Sequence, residues 1–200
     1  MHETKRSPRR PVGSILAAGF GILLATSTAL AAFSGLKLDA VHSKVGFTAS
    51  TLLFDVDGNF GKYDIQIDGD PSKPDTVKVK VSIDVASIDT DNTKRDNHLK
   101  SPDFFDAEKH PSITFTSTSV TSNGNQLTVK GDLTMRGKTK PVTIPFKVAK
   151  GKNGSGVDTA TYKGKLTIDR TDFDIGTDSV AAKISLEDEV DIKLLIVTFP

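Results

Sequence analysis

The chain has 200 residues, with no Cys and no Trp, and 26 Lys and Arg stand against 25 Asp and Glu. That length suits one domain, which buries roughly 70% of its unfolded surface without a metal or disulfide staple. The missing cysteine excludes a disulfide scaffold, a thiolate metal site, an iron-sulfur cluster and a cysteine nucleophile.

The near-zero charge mixes two regions. Residues 1–31 hold Lys5, Arg6, Arg9 and Arg10 against Glu3, and setting these aside leaves 22 basic and 24 acidic residues. The remainder is slightly acidic, so no affinity for nucleic acid is implied. A basic start, the apolar run Val12 to Leu24 and the small-residue ending Ala29-Leu30-Ala31 read as an export signal. Cleavage after Ala31 would leave residues 32–200 as the working domain, delivered to the periplasm. The segment has two other readings. Pro11 to Leu36 is uncharged and long enough for an uncleaved anchor, but Gly13, Gly19, Gly21 and a Ser/Thr run break it. Arg9-Arg10 raises a twin-arginine route, whose flanks Pro11 and Gly13 fit poorly.

Beyond Lys44 the pattern is alternation of period two, which predicts half-buried strands. Val45, Phe47 and Ala49 make the first. Val56, Gly58 and Phe60 continue on one parity and Tyr63, Ile65 and Ile67 on the other, so a bulge is expected near Gly61. Val77 to Val85 is the cleanest strand. Ile113 and Phe115 come next, then Leu127 to Met135, Val142 to Val148, Tyr162 to Ile168 and Val190 to Ile196, eight in all. Turn chemistry separates them at Gly69-Asp70-Pro71, Asn123-Gly124-Asn125, Arg136-Gly137-Lys138 and Gly151 to Gly156. Asp91 to Asp106 predicts one short helix and a tight turn, and Val180 to Lys183 another helical turn. Eight strands and little helix suit an all-β closed antiparallel barrel or a two-sheet sandwich. A membrane barrel is disfavoured, because Lys, Asp and Thr alternate with the apolar residues and aromatic girdles are lacking.

Three look-alike motifs fall away on inspection. Gly137-Lys138-Thr139 resembles a phosphate-loop tail, but the position five residues before Gly137 is Asp132 and the segment joins two strands. Asp55, Asp57 and Asn59 mimic a calcium loop whose sixth position would be Phe60 and whose twelfth would be Gln66. His42, His98 and His110 lack zinc-protease spacing. No metal or cofactor is expected.

A resemblance runs through most of the domain. Its carriers are Asp39-Ala40-Val41-His42-Ser43-Lys44-Val45-Gly46-Phe47, Arg95 to Asp106, Pro111 to Phe115, Gly131 to Val142 and Arg170-Thr171-Asp172-Phe173. Together these resemble the YceI-like family of exported, lipocalin-like lipid-binding proteins. The resemblance implies an eight-stranded antiparallel barrel with one short helix between strands 3 and 4, and a long apolar pocket for a polyisoprenoid or fatty-acyl-type lipid, without catalysis. Two positions depart from the family pattern. Thr51-Leu52-Leu53-Phe54-Asp55 lacks the usual histidine, implying a more apolar mouth, and Asp174 stands where glycine commonly follows Arg-x-Asp-Phe.

The expected pocket wall is Val45, Phe47, Phe60, Val79, Val81, Phe115, Leu133, Ile144, Phe146, Leu166 and Ile192, with Arg95, His98, Arg170 and Asp172 at a polar mouth. The expected role is a periplasmic carrier holding a lipid tail-first, with transient membrane contact and room for a homodimer. Two alternatives stay open. One is a lipid-modifying enzyme built on Arg95, Asp96, His98 and Arg170, and the other an interaction domain with a filled interior.

Overall fold

The structure, a computed structural model, describes residues 36–199. The segment read as an export signal, with its expected cleavage site, lies outside the described residues. Eleven strands follow in chain order: β1 (Lys37–Leu38), β2 (Lys44–Thr51), β3 (Asp55–Phe60), β4 (Tyr63–Asp68), β5 (Lys78–Asp84), β6 (Ile88–Asp89), β7 (Ser112–Asn123), β8 (Gln126–Met135), β9 (Lys138–Lys152), β10 (Asp158–Asp169) and β11 (Leu186–Phe199). Helix α1 (Thr93–Lys100) precedes β7 and α2 (Val180–Ser185) precedes β11.

All ladders are antiparallel, and they form one sheet in the order β4-β5-β7-β8-β9-β10-β11-β2-β3-β6, with β1 beside β11. The all-β class expected from the alternation is correct, and the sheet curls around an apolar interior. The strand count needs correction. The eight runs become eleven because the run from Val56 to Ile67 divides into β3 and β4 and two short strands, β1 and β6, are added. β3 passes into β4 across Gly61-Lys62, and β5 into β6 across a 3-10 turn at Val85–Ser87. At this corner Gly61 donates its N–H to Ser87 O, and Asp84 donates its N–H to Lys62 O. The face switch at Gly61 is therefore a break between two strands, where a bulge inside one was expected. Because β3 ladders with β2 while β4 ladders with β5, chain continuity joins the two ends of the curl.

β7 is longer than its apolar pattern suggests. Its register shifts between Ser117 and Ser119, moving the inward parity from Ile113 and Phe115 to Val120. The inward Ser117 accepts the Val79 N–H at 2.8 Å, which satisfies a hydroxyl buried in the wall. The Arg136-Gly137 tip joins β8 to β9 with φ of 47° and 74°, a two-residue turn with both centres left-handed. That places Gly137-Lys138-Thr139 at a hairpin. Asp55, Asp57 and Asn59 lie along β3, so the calcium look-alike is strand.

Candidate functional site

The curl encloses a cavity of about 340 Å³ lined by residues of β2, β3, β4, β5, β7, β8, β9, β10 and β11 and by Leu99, Phe104 and Phe105 beside α1. All eleven expected wall residues line it. Val77, Val79, Val81, Leu166 and Ile192 face inward yet are only half-buried. A filled core would bury such residues fully; here the space across from them is open. This observation separates a hollow interior from a packed one. The regular inward set on β11 runs from Val190 to Ile196, six residue steps and so about 20 Å of strand, so the wall is long enough for an extended chain.

Three glycines keep that space open. A Cβ built on Gly58 would stand 2.3 Å from the Phe47 ring, on Gly131 2.5 Å from the Phe115 ring, and on Gly164 2.5 Å from the Phe146 ring. Each ring therefore occupies the space that a Cβ on a glycine of the neighbouring strand would take. Gly58 is the direct cross-strand partner of Phe47, and Gly164 of Phe146.

The two ends differ. At one, the lining residues Phe104, Ile113, Met135, Arg170 and Ile175 are buried. The neighbouring segments α1, the Arg136-Gly137 tip, the 3-10 turn Arg170–Phe173 and α2 cap it. At the other, the lining includes exposed Pro71, Ser122, Gly124, Gln126 and Lys150, from the β4–β5, β7–β8 and β9–β10 connections. This is the open end.

The four residues expected at a polar mouth are gathered at the capped end, and the expectation is corrected accordingly. Arg170 is 4% exposed. It donates to the carbonyls of Ile175 (2.8 Å), Glu187 (3.0 Å) and Leu186 (3.3 Å) and pairs with Asp188 at 2.6 Å, tying the 3-10 turn to the start of β11. Arg95 donates to Thr90 Oγ1 and Thr90 O, and Thr90 donates to the buried Asp96. Helix α1 is thereby fixed to the strand before it, while Asn92 caps its N-terminus by accepting the Arg95 N–H. His98 lies apart and exposed, with Nε2 3.0 Å from Asp103 Oδ2 and its ring edge-on to Phe104. Asp172 pairs with Lys140 on the surface at 2.7 Å. The proposed acid–base group is thus divided between internal ties and an outer ion pair. Among the described residues, no group of three or more His, Cys, Asp or Glu is placed to hold a metal.

The hairpin Leu52-Leu53-Phe54 also belongs to the capped end, where the Leu52 N–H reaches Ser185 O. Its side chains are 74%, 89% and 60% exposed, so they form no part of the cavity opening, contrary to the expectation of an apolar mouth there. Asp174, in the position where glycine is common, has φ 56° and closes the 3-10 turn. Asp tolerates this conformation better than most residues.

Sequence reasoning missed the polar groups of the open end. Tyr162 lines the cavity there, and burial pushes its phenol above the ordinary tyrosine value. The outer face carries Lys165 2.8 Å from Asp191 and Lys193 3.3 Å from Asp57, a charged exterior suited to water. Asp57 is held below the usual carboxylate range by the Thr48 hydroxyl and then Lys193.

Residues 36–198 match the YceI-like domain, and the Escherichia coli protein YceI is 37% identical over 159 residues, covering 78% of this chain and 83% of that one. The chain belongs to the YceI-like family. Among solved structures, Burkholderia cenocepacia BcnA shares 34% identity at a TM-score of 0.72, covering 80% of this chain and 99% of that one. A polyisoprenoid binding domain from Saccharophagus degradans, implicated in plant cell wall breakdown, shares the fold at a TM-score of 0.60 with 14% identity, over 82% of this chain and 97% of that one.

Proposed function

We propose that the protein is a periplasmic carrier that sequesters one long-chain amphiphile, a polyisoprenoid or a similar lipid, tail-first in its cavity, and that it performs no chemistry on the cargo. The observation that carries this reading is the hollow apolar wall with half-buried inward Val79, Val81, Leu166 and Ile192. Each methylene-sized group moved from water into such a wall contributes about 0.8 kcal/mol, so a long tail binds strongly through apolar contact alone. The separation of His98 from Arg95, Asp96 and Arg170 favours binding over catalysis. The export signal read at residues 1–31 supports the periplasmic site of action.

The test is Val81→Arg, which puts a charge in the wall of β5. A titration with a prenyl lipid should show binding lost in the variant and retained in the native protein, with both folded by circular dichroism. Equal binding by a folded variant would refute the assignment of this cavity as the site.

A further inference from the structure

The wall between β9 and β10 is laced along only part of its length. The two strands pair from Asp158↔Lys152 to Gly164↔Phe146, and there the ladder stops. β9 nevertheless stays paired with β8 as far as Lys138, and β10 with β11 as far as Asp169. Among the described residues, 138–145 of β9 and 165–169 of β10 therefore have no ladder between them. The sequence carries the reason. Pro141 and Pro145 stand at one parity of β9 and have no N–H to give, which a strand tolerates at an edge and not between two paired neighbours.

An outer cleft follows this seam. It is lined by residues 140–143 and Pro145 of β9, by residues 165–169 of β10, and by Asp172 and Phe173 of the 3-10 turn beyond. Val142, Leu166 and Ile168 line both this cleft and the apolar cavity, so the same three residues border the two spaces. Side chains take the place of the missing ladder. Lys138 pairs with Asp174 at 2.9 Å and Lys140 with Asp172 at 2.7 Å, each joining β9 to the chain just past β10. All four side chains are between 42% and 52% exposed, and ion pairs so open to water hold weakly. The seam is fixed at its two ends, by the Gly164↔Phe146 pair at one and at the other by Arg136, which donates to the carbonyls of Asp174 and Pro102.

We infer that the β9–β10 seam is a side gate of the cavity, through which the lipid tail enters and leaves between Val142 on one lip and Leu166 and Ile168 on the other. This rests on the carrier reading and gives it a route of exchange. Opening the gate parts two exposed ion pairs and breaks no backbone ladder. A tail that passes sideways is also spared being drawn end-on along the whole wall.

The native chain has no cysteine, so introduced pairs can be tethered cleanly. Carried on past Gly164↔Phe146, the register sets Thr143 against Thr167, both exposed. Thr143→Cys with Thr167→Cys, joined by a short bis-maleimide, holds the seam shut. Lys147→Cys with Lys163→Cys, direct partners in the laced part, gives a control tether on the same two strands. The probe is geranylgeraniol carrying an anthraniloyl fluorophore, read by equilibrium titration and by stopped-flow uptake and release. The seam tether should slow uptake and release about tenfold or more and leave the affinity unchanged, because it blocks a motion and not the bound state. The control tether should change neither. Lys138→Ala with Lys140→Ala should speed release about threefold, the share that two exposed ion pairs carry. Equal rates in the two tethered proteins would overturn the inference, as would release from the double alanine variant no faster than native. Native protein that fails to bind the probe at equilibrium would overturn the carrier reading and this inference with it, whereas the kinetic arms bear on the gate alone.

Discussion

Gly164→Ala probes how the cavity stays open. The new Cβ would stand 2.5 Å from Phe146 Cε1 and 2.7 Å from Cδ1, where ordinary contact begins near 3.4 Å. The three nearest atoms all belong to the ring, so the ring must yield and the backbone need not. Because the ring lines the cavity, its displacement intrudes on the lipid path. Overpacking of this kind costs about 1–3 kcal/mol, offset by roughly 0.5–1 kcal/mol from removing a strand glycine, so the fold should survive with a modest loss. Binding should suffer more. A ring turned into the path displaces roughly three methylene groups of ligand, about 2.4 kcal/mol at 0.8 kcal/mol each, or about a 50-fold loss of affinity. Titration of a prenyl lipid measures the affinity, and urea unfolding measures the stability. Phe146→Leu added to Gly164→Ala should restore most of the binding. An affinity within twofold of native in the folded single variant would refute the idea that glycine-seated rings hold the channel open.

Arg170→Ala should cost about 3–5 kcal/mol in urea unfolding, because it strips partners from three carbonyls and empties a buried site; Arg170→Lys should recover little, since an ammonium lacks the guanidinium fork. A loss below about 1 kcal/mol would contradict the structural role given to this residue. The alkaline limb of stability depends on Tyr162. Burial raises its folded pKa above 10.0, so the unfolded chain loses the proton first. The resulting stability is complete below pH 10.0 and is lost as pH rises through the folded value. Tyr162→Phe should flatten the fall of the urea midpoint above that pH, and an unchanged slope would show the phenol to be freely solvated.

The wall was readable from the sequence because strand alternation fixes which side chains share a face: Val79, Val81, Leu166 and Ile192 could be placed inward from parity alone. Parity does not say whether the opposite wall is near enough to fill the space. Nor does it show that Phe47, Phe115 and Phe146 lie over glycines, although each of those glycines interrupts a strand and so carries a signal of close packing. The polar residues were misplaced for a different reason. Arg95 and Arg170 look like free cations in a linear chain, whereas their partners are mainly backbone carbonyls, invisible to composition and charge counting.

The measurement nearest the central claim is mass spectrometry of an organic extract from the mature protein purified out of its native compartment. The account predicts one long-chain amphiphile per protein molecule, and its absence from Val81→Arg prepared in the same way. Protein that yields no lipid and shows no binding of added prenyl lipid would contradict it.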